Sequence, residues 1–182
     1  MKKACVLLAE GFEEVEALTP VDFFRRAGIE VITAGIGGAE IKGSHGIEVR
    51  ADVVLSASLK DFDCVVVPGG MPGSKNIAAS DLACKLIVRS FESGALVAAI
   101  CAAPVVVLGP AGLLKGRRFT CYPGMEKDAA GGLFSGERVV IDGNLITGRA
   151  AGCAGEFSLS VIRSLLGKGT EDKVREATLS RP

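Results

Sequence analysis

Ala95-Leu-Val-Ala-Ala-Ile-Cys101-Ala-Ala-Pro104 joins a short apolar run to a proline and a second apolar stretch. The run reads as a buried strand. Pro104 reads as the first turn of a helix, where its missing N–H costs nothing. A cysteine at that junction sits on a sharp strand-to-helix turn, the thiol counterpart of a serine nucleophile elbow. Its sulfur is presented at a sheet edge, beside the free N–H groups and the dipole of a helix start, which stabilise a thiolate. A structural cysteine buried in a strand is the competing reading. It suits the other five cysteines, which lack this context.

Outward from this turn the chain alternates strands and helices. Residues 3–9 form a first strand, and residues 13–27 have helical spacing, with Val15, Leu18, Val21, Phe24 and Ala27 on one face. Gly28 stops the helix, and residues 30–34 form a second strand parallel to the first. Residues 40–42 and 47–50 flank Gly43-Ser44-His45-Gly46 and predict a small β-hairpin. A third strand, 63–67, ends at Pro68-Gly69-Gly70. A helix over 81–93, with Leu82, Leu86, Val88 and Phe91 apolar, leads back to the strand before Cys101. Strands at 118–121, 139–141 and 145–147 follow, with Asp142-Gly143-Asn144 as a turn. An amphipathic helix over 154–166 and a terminal helix over 170–178, capped by Thr170, complete the chain. This pattern predicts a single-domain α/β sandwich over residues 1–182 with a mainly parallel sheet. Ligands in such folds bind outside the carboxyl ends of the strands. Ala9-Glu10-Gly11, Pro68-Gly69-Gly70 and Cys101 all lie at such ends.

Composition narrows the function classes. The 182 residues suit one core, and 48% hydrophobic content implies a large interior. Formal net charge is zero and no long basic run appears, so nucleic-acid or anionic-membrane binding has no electrostatic support. No segment approaches the ~18 apolar residues of a membrane span. The short apolar core after Met1-Lys2-Lys3 runs into Glu10, Glu13 and Glu14, unlike a signal peptide. A cytoplasmic protein is expected. Six cysteines without dense spacing do not make a disulfide scaffold, and a lone histidine, His45, with no C-x-x-C pair argues against zinc.

The first helix carries Glu13, Glu14 and Glu16 near its start. Glu13 and Glu14 read as solvated acids favoured by the helix dipole. Glu16 has Val15, Ala17 and Leu18 around it, so partial burial would raise its pKa and let it hydrogen-bond a thiolate as a neutral acid. The glycines of Pro68-Gly-Gly-Met-Pro-Gly73 let backbone N–H groups approach a ligand and, beside a nucleophile, form an oxyanion hole. A tight turn is the bland alternative. Neither a P-loop nor a Gly-x-Gly-x-x-Gly fingerprint is present, so nucleotide cofactors are not expected.

Glu10-Gly-Phe-Glu-Glu-Val-Glu16, Val67-Pro-Gly-Gly70, Ala98-Ala-Ile-Cys-Ala-Ala-Pro104 and the region 152–159 resemble the ThiJ/PfpI superfamily. The resemblance is nearest its parkinsonism-associated deglycase, or "DJ-one", branch and covers nearly the whole chain. It implies a flavodoxin-like sandwich and a homodimer. It assigns the reactive thiolate to Cys101 and its protonated partner to Glu16, with Gly69, Gly70 and Ala102 supplying N–H groups around sulfur. It implies no metal and no organic cofactor. One departure is Tyr122, which stands where relatives often carry histidine, so peptidase or glutaminase chemistry is not expected. His45 reads as an exposed turn residue.

The implied activity is a glutathione-independent glyoxalase or deglycase acting on methylglyoxal-like α-oxoaldehydes or on glycated protein or nucleotide. The rival is a stress-response redox sensor or chaperone whose Cys101 oxidises with little turnover. Both rest on one thiolate. Cys121, beside Tyr122, is an accessory position that could resolve an oxidised Cys101, although a buried strand cysteine is its simpler role.

Overall fold

Strand alternation builds two cores, one on each face of a central sheet. The computed structural model describes residues 1–129 and 131–180. In β1 (Lys3–Leu8), Ala4, Val6 and Leu8 face one core while Cys5 and Leu7 face the other. α1 (Glu14–Arg26) crosses to β2 (Glu30–Gly35), which lies parallel to β1. β3 (Glu40–Lys42) and β4 (Glu48–Arg50) pair antiparallel as a separate hairpin. β5 (Val53–Val54) is a short edge strand beyond β2.

The chain then returns to the other side of β1 through β6 (Cys64–Val67). α2 (Gly73–Ala78) and α3 (Asp81–Glu92) carry it to β7 (Leu96–Ile100), and a five-residue π-turn spans Pro104–Leu108. β8 (Arg118–Phe119) and β9 (Leu133–Phe134) pair as a second small sheet. β10 (Val139–Asp142) and β11 (Leu145–Gly148) rejoin the main sheet, and α4 (Ala154–Leu166) and α5 (Lys168–Ala177) end the fold.

The main sheet runs β10-β11-β7-β6-β1-β2-β5 and is parallel except for β10 on β11. This is the expected flavodoxin-like three-layer sandwich. α1, α4 and α5 contribute to one core, through Ala17, Phe24, Phe157, Val161 and Val174. α2, α3 and the π-turn contribute to the other, through Ile77, Ile87 and Leu108. Chain order reverses between β1 and β6, and the crevice at such a reversal is where this architecture places ligands. No helix among the described residues is long and apolar enough to cross a membrane.

Several local expectations change. α1 buries Glu14, Glu16, Ala17, Pro20, Val21 and Phe24, whereas Val15 is 50% exposed. Hydrogen bonds offered to Glu14 and Glu16 from neighbouring loops outweigh the pull of Val15 toward the core. Leu82 is likewise exposed, and Ala83 and Ile87 take the buried face of α3. α5 begins two residues before Thr170, because Gly167 at φ 83° turns the chain directly out of α4 and stands as its N-cap. The helix expected after Cys101 is a π-turn, closed by the Gly109 N–H on the Pro104 carbonyl at 3.0 Å.

Candidate functional site

Cys101 follows the buried strand β7, between the ends of β6 and β11. Val97 and Ala99 face one core, Ala98 and Ile100 the other, so continued alternation would send Cys101 after Ala99. Instead its φ is 65°, and its side chain packs against the core shared with Ile100. A non-glycine residue in this region costs of order 1–3 kcal/mol and persists only where its surroundings fix it. Here they do. The Cys101 N–H donates to the Gly148 carbonyl at 2.9 Å, and the Tyr122 N–H donates to the Cys101 carbonyl at 2.8 Å.

The loop after β6 lies between this elbow and α1. The Gly69 N–H donates to Glu16 Oε2 at 2.9 Å, and the N–H groups of Gly70 and Ala102 reach the Cys101 sulfur. A Cβ at Gly69 would clash with Glu16 Oε2 and stand 2.6 Å from the Cys101 Cβ. Glycine is therefore required for the two side chains to meet. The Glu16 carboxyl hydrogen-bonds the sulfur and also accepts from the Ala151 N–H. Glu16 is 1% exposed and Cys101 partly buried.

Burial pushes the Glu16 carboxyl up to about 7, and the Glu13 charge adds to the rise against the pull of its hydrogen bonds. Burial also pushes the Cys101 thiol up, as does an ionised Glu16 beside it, while the Ala102 and Gly70 N–H groups pull it down. The two acids titrate as a pair. Losing both protons is strongly opposed, so the pair holds one proton and one negative charge over a wide range above neutrality.

Of the expected sulfur donors, Gly70 and Ala102 are in place, whereas Gly69 serves Glu16. Tyr122 touches the elbow through its backbone, and its side chain is 49% exposed. Cys121 is buried in the core on the opposite side of the sheet from the one that Cys101 packs against, and burial pushes its thiol up to about 11. Gly148 and Ala151 were not singled out by sequence. Both act through backbone groups, which leave no side-chain signature, although a Cβ at Gly148 would stand 2.9 Å from the Ile100 side chain.

Glu13 and Glu14 are not the solvated acids expected. Glu13 caps α1, its Oε2 accepting from the Glu16 N–H at 2.7 Å. Glu14 is buried and anchors the β3–β4 turn, accepting from the N–H groups of His45 and Ile47, the Ser44 hydroxyl and the His45 ring. Burial pushes Glu14 up, but these hydrogen bonds win and hold it at about 2. His45 is 71% exposed in its turn, as expected, and its bond to Glu14 raises its own pKa. Among the described residues, ligand atoms of Glu13, Glu14 and His45 lie within 4.8 Å of one another. The oxygens of Glu14 there are already occupied by the four donors of the turn.

The DJ-1/PfpI family model matches residues 2–164. Protein dj-1beta of Drosophila melanogaster is 41% identical over 179 residues, covering 96% of this chain and 94% of that protein. Glutathione-independent glyoxalase DJR-1.2 of Caenorhabditis elegans is 34% identical over 170 residues, covering 91% of this chain and 90% of that protein. A crystal structure of a cysteine-to-alanine mutant of a DJ-1 superfamily protein from Salmonella typhimurium matches with a TM-score of 0.96 at 38% identity, over 100% of both chains.

Proposed function

This chain belongs to the DJ-1/PfpI family, and from that premise we propose that it is a cysteine-dependent, glutathione-independent glyoxalase. Its substrates are α-oxoaldehydes such as methylglyoxal, or their adducts on protein or nucleotide. The observation that carries the reading is the Glu16 carboxyl bonded to the Cys101 sulfur, with the Gly70 and Ala102 N–H groups on the same sulfur. Two N–H groups reach each member of the pair, and the deeper burial of Glu16 and the Glu13 charge beside it favour the tautomer with the charge on sulfur and the proton on Glu16.

The thiolate attacks the aldehyde carbon, and the Glu16 proton goes to the aldehyde oxygen, giving a hemithioacetal. The Glu16 carboxylate then removes the hydrogen from that carbon and returns a proton to the neighbouring one, while the hydroxyl proton of the hemithioacetal passes to the neighbouring carbonyl oxygen. The carbonyl is thereby moved next to sulfur, as a thioester. Water cleaves the thioester, releasing lactate from methylglyoxal and restoring the thiol. One water is consumed, and the substrate is oxidised at one carbon and reduced at the next, so no external redox partner is needed.

The same backbone donors suit the oxygens of a sulfinate, which supports the second reading, a redox sensor with little turnover. Steady-state conversion of methylglyoxal to lactate decides between them. Turnover that disappears in Cys101→Ser supports the enzyme. Wild-type protein with no turnover overturns it.

The reading includes a cytoplasmic homodimer. Six free cysteines suit a reducing compartment. Val15 at 50% and Ile47 at 53% exposure adjoin Leu18 and Phe23 in one shallow apolar depression, which a second copy would cover.

A further inference from the structure

We infer that Glu13 is a positioning residue for the Cys101–Glu16 pair, holding Glu16 in place from the start of α1 and presenting a negative charge that keeps the proton on Glu16. The inference deepens the glyoxalase reading and rests on it. Glu13 stands at the N-cap in extended backbone, φ −84° and ψ 123°. Two hydrogen bonds tie it into the site, and a third closes the circuit. Its Oε2 accepts from the Glu16 N–H at 2.7 Å. Its own N–H donates to the Gly69 carbonyl at 3.0 Å. The Gly69 N–H then donates to Glu16 Oε2 at 2.9 Å. The cap, the glycine loop and the carboxyl therefore form one closed circuit.

Capping a helix needs only a short neutral oxygen, which Ser, Thr or Asn supplies. Glu13 brings a full charge as well, on a side chain only 15% exposed. A carboxylate beside a second carboxyl disfavours the ionisation of that second group. Burial is the larger influence on Glu16, and the Glu13 charge acts in the same sense. The other titratable groups facing this corner are Cys101 on the elbow, Glu14 on α1 and His45 on the β3–β4 turn. His45 Nδ1 lies 2.9 Å from Glu14 and 3.9 Å from Glu13, so it compensates Glu14 first. The glycine loop and Ala151 bring uncharged backbone groups.

The test is the pH dependence of Cys101 alkylation by iodoacetamide, followed by peptide mass spectrometry in the intact protein. Glu13→Gln and Glu13→Ser keep a capping oxygen and remove the charge, and Glu13→Asp keeps both. In wild type the profile should rise well below the ordinary thiol range. The two neutral variants should rise about half a pH unit lower, because the monoanionic pair forms more easily. Their plateau rate should fall about twofold or more, because charge moves from sulfur onto Glu16. Glu13→Asp should keep the wild-type midpoint and plateau. If one neutral variant does not fold, the other carries the comparison. If a folded neutral variant keeps the wild-type midpoint and plateau, the inference is overturned and the reading of Cys101 stands. A wild-type profile with no rise below the ordinary thiol range overturns both.

Discussion

The Gly69 N–H ends on Glu16 Oε2, 2.9 Å away, and leaves the Cys101 sulfur to the next residue along the loop. Two adjacent peptide groups thus serve the two members of the pair separately. The same glycine keeps its Cα close enough to both that no side chain fits. Gly69→Ala would set a Cβ 2.6 Å from that of Cys101 and against the Glu16 carboxyl. Methylglyoxal turnover should fall by about 100-fold, since small displacements of reacting groups are this costly. Near-normal kcat with an intact fold would contradict the geometry.

Glu16 should weaken the fold as pH rises. Its carboxyl lies at about 7 in the folded chain, against about 4.3 when unfolded. Between those values the folded state binds the extra proton, so stability is full below about 4.3 and declines toward 7. Glu16→Leu removes that slope, so the stability of wild type relative to the variant should fall by on the order of a few kcal/mol between pH 4 and pH 8. It also deletes the donor to sulfur, so the alkylation midpoint of Cys101 should move up. Denaturant titrations at pH 4 and pH 8 check the first claim, and an alkylation profile checks the second.

Glu14 should act with the opposite sign. It is held at about 2 in the fold, so its contribution is complete above the unfolded value near 4.3 and is lost as pH falls through about 2. Glu14→Gln should cost about 1–3 kcal/mol at pH 7, because buried N–H groups of the hairpin turn lose a charged acceptor. The gap from wild type should narrow at pH 3. Melting temperatures measured at both pH values give the comparison, and a constant gap would rule out the charge as its source.

Sedimentation at micromolar concentration should show a dimer. Val15→Asp together with Ile47→Asp should shift it toward monomer, because charge would enter the apolar depression beside α1. Wild-type protein that sediments as a monomer throughout would refute the assembly without touching the thiol chemistry.

Mild peroxide should oxidise Cys101 and leave Cys121 as a free thiol, since the two pack toward different cores. Non-reducing peptide mapping would expose a Cys101–Cys121 linkage, the result that would restore Cys121 as a resolving thiol.

The meeting of Cys101 and Glu16 was legible in the sequence through their side chains. Cys101 betrayed itself by an apolar run before it and Pro104 after it, and Glu16 by the apolar residues beside it. Gly70 was legible as part of the glycine-rich turn after the third strand, and Ala102 only through the family resemblance. Gly148 and Ala151 were not, because a carbonyl and an N–H are common to every residue. Glu13 and Glu14 were misjudged for a different reason. Acids at a helix start normally face water, and only the hairpin folding back over α1 supplies the donors that bury Glu14. Two-residue strands such as β5 and β9 are too short to carry any alternation, so pairing alone defines them.

Cys5 and Cys64 are fully buried on the adjacent central strands β1 and β6, and burial pushes both thiols up, that of Cys5 to about 12. They face opposite cores. Both lie within the paired sheet, so a reagent meets them when β1 and β6 separate. The chain therefore carries its own clock for global opening. While Cys101 is consumed early at the elbow, the slow labelling of Cys5 and Cys64 times the breathing of each face of the protein, with no probe added.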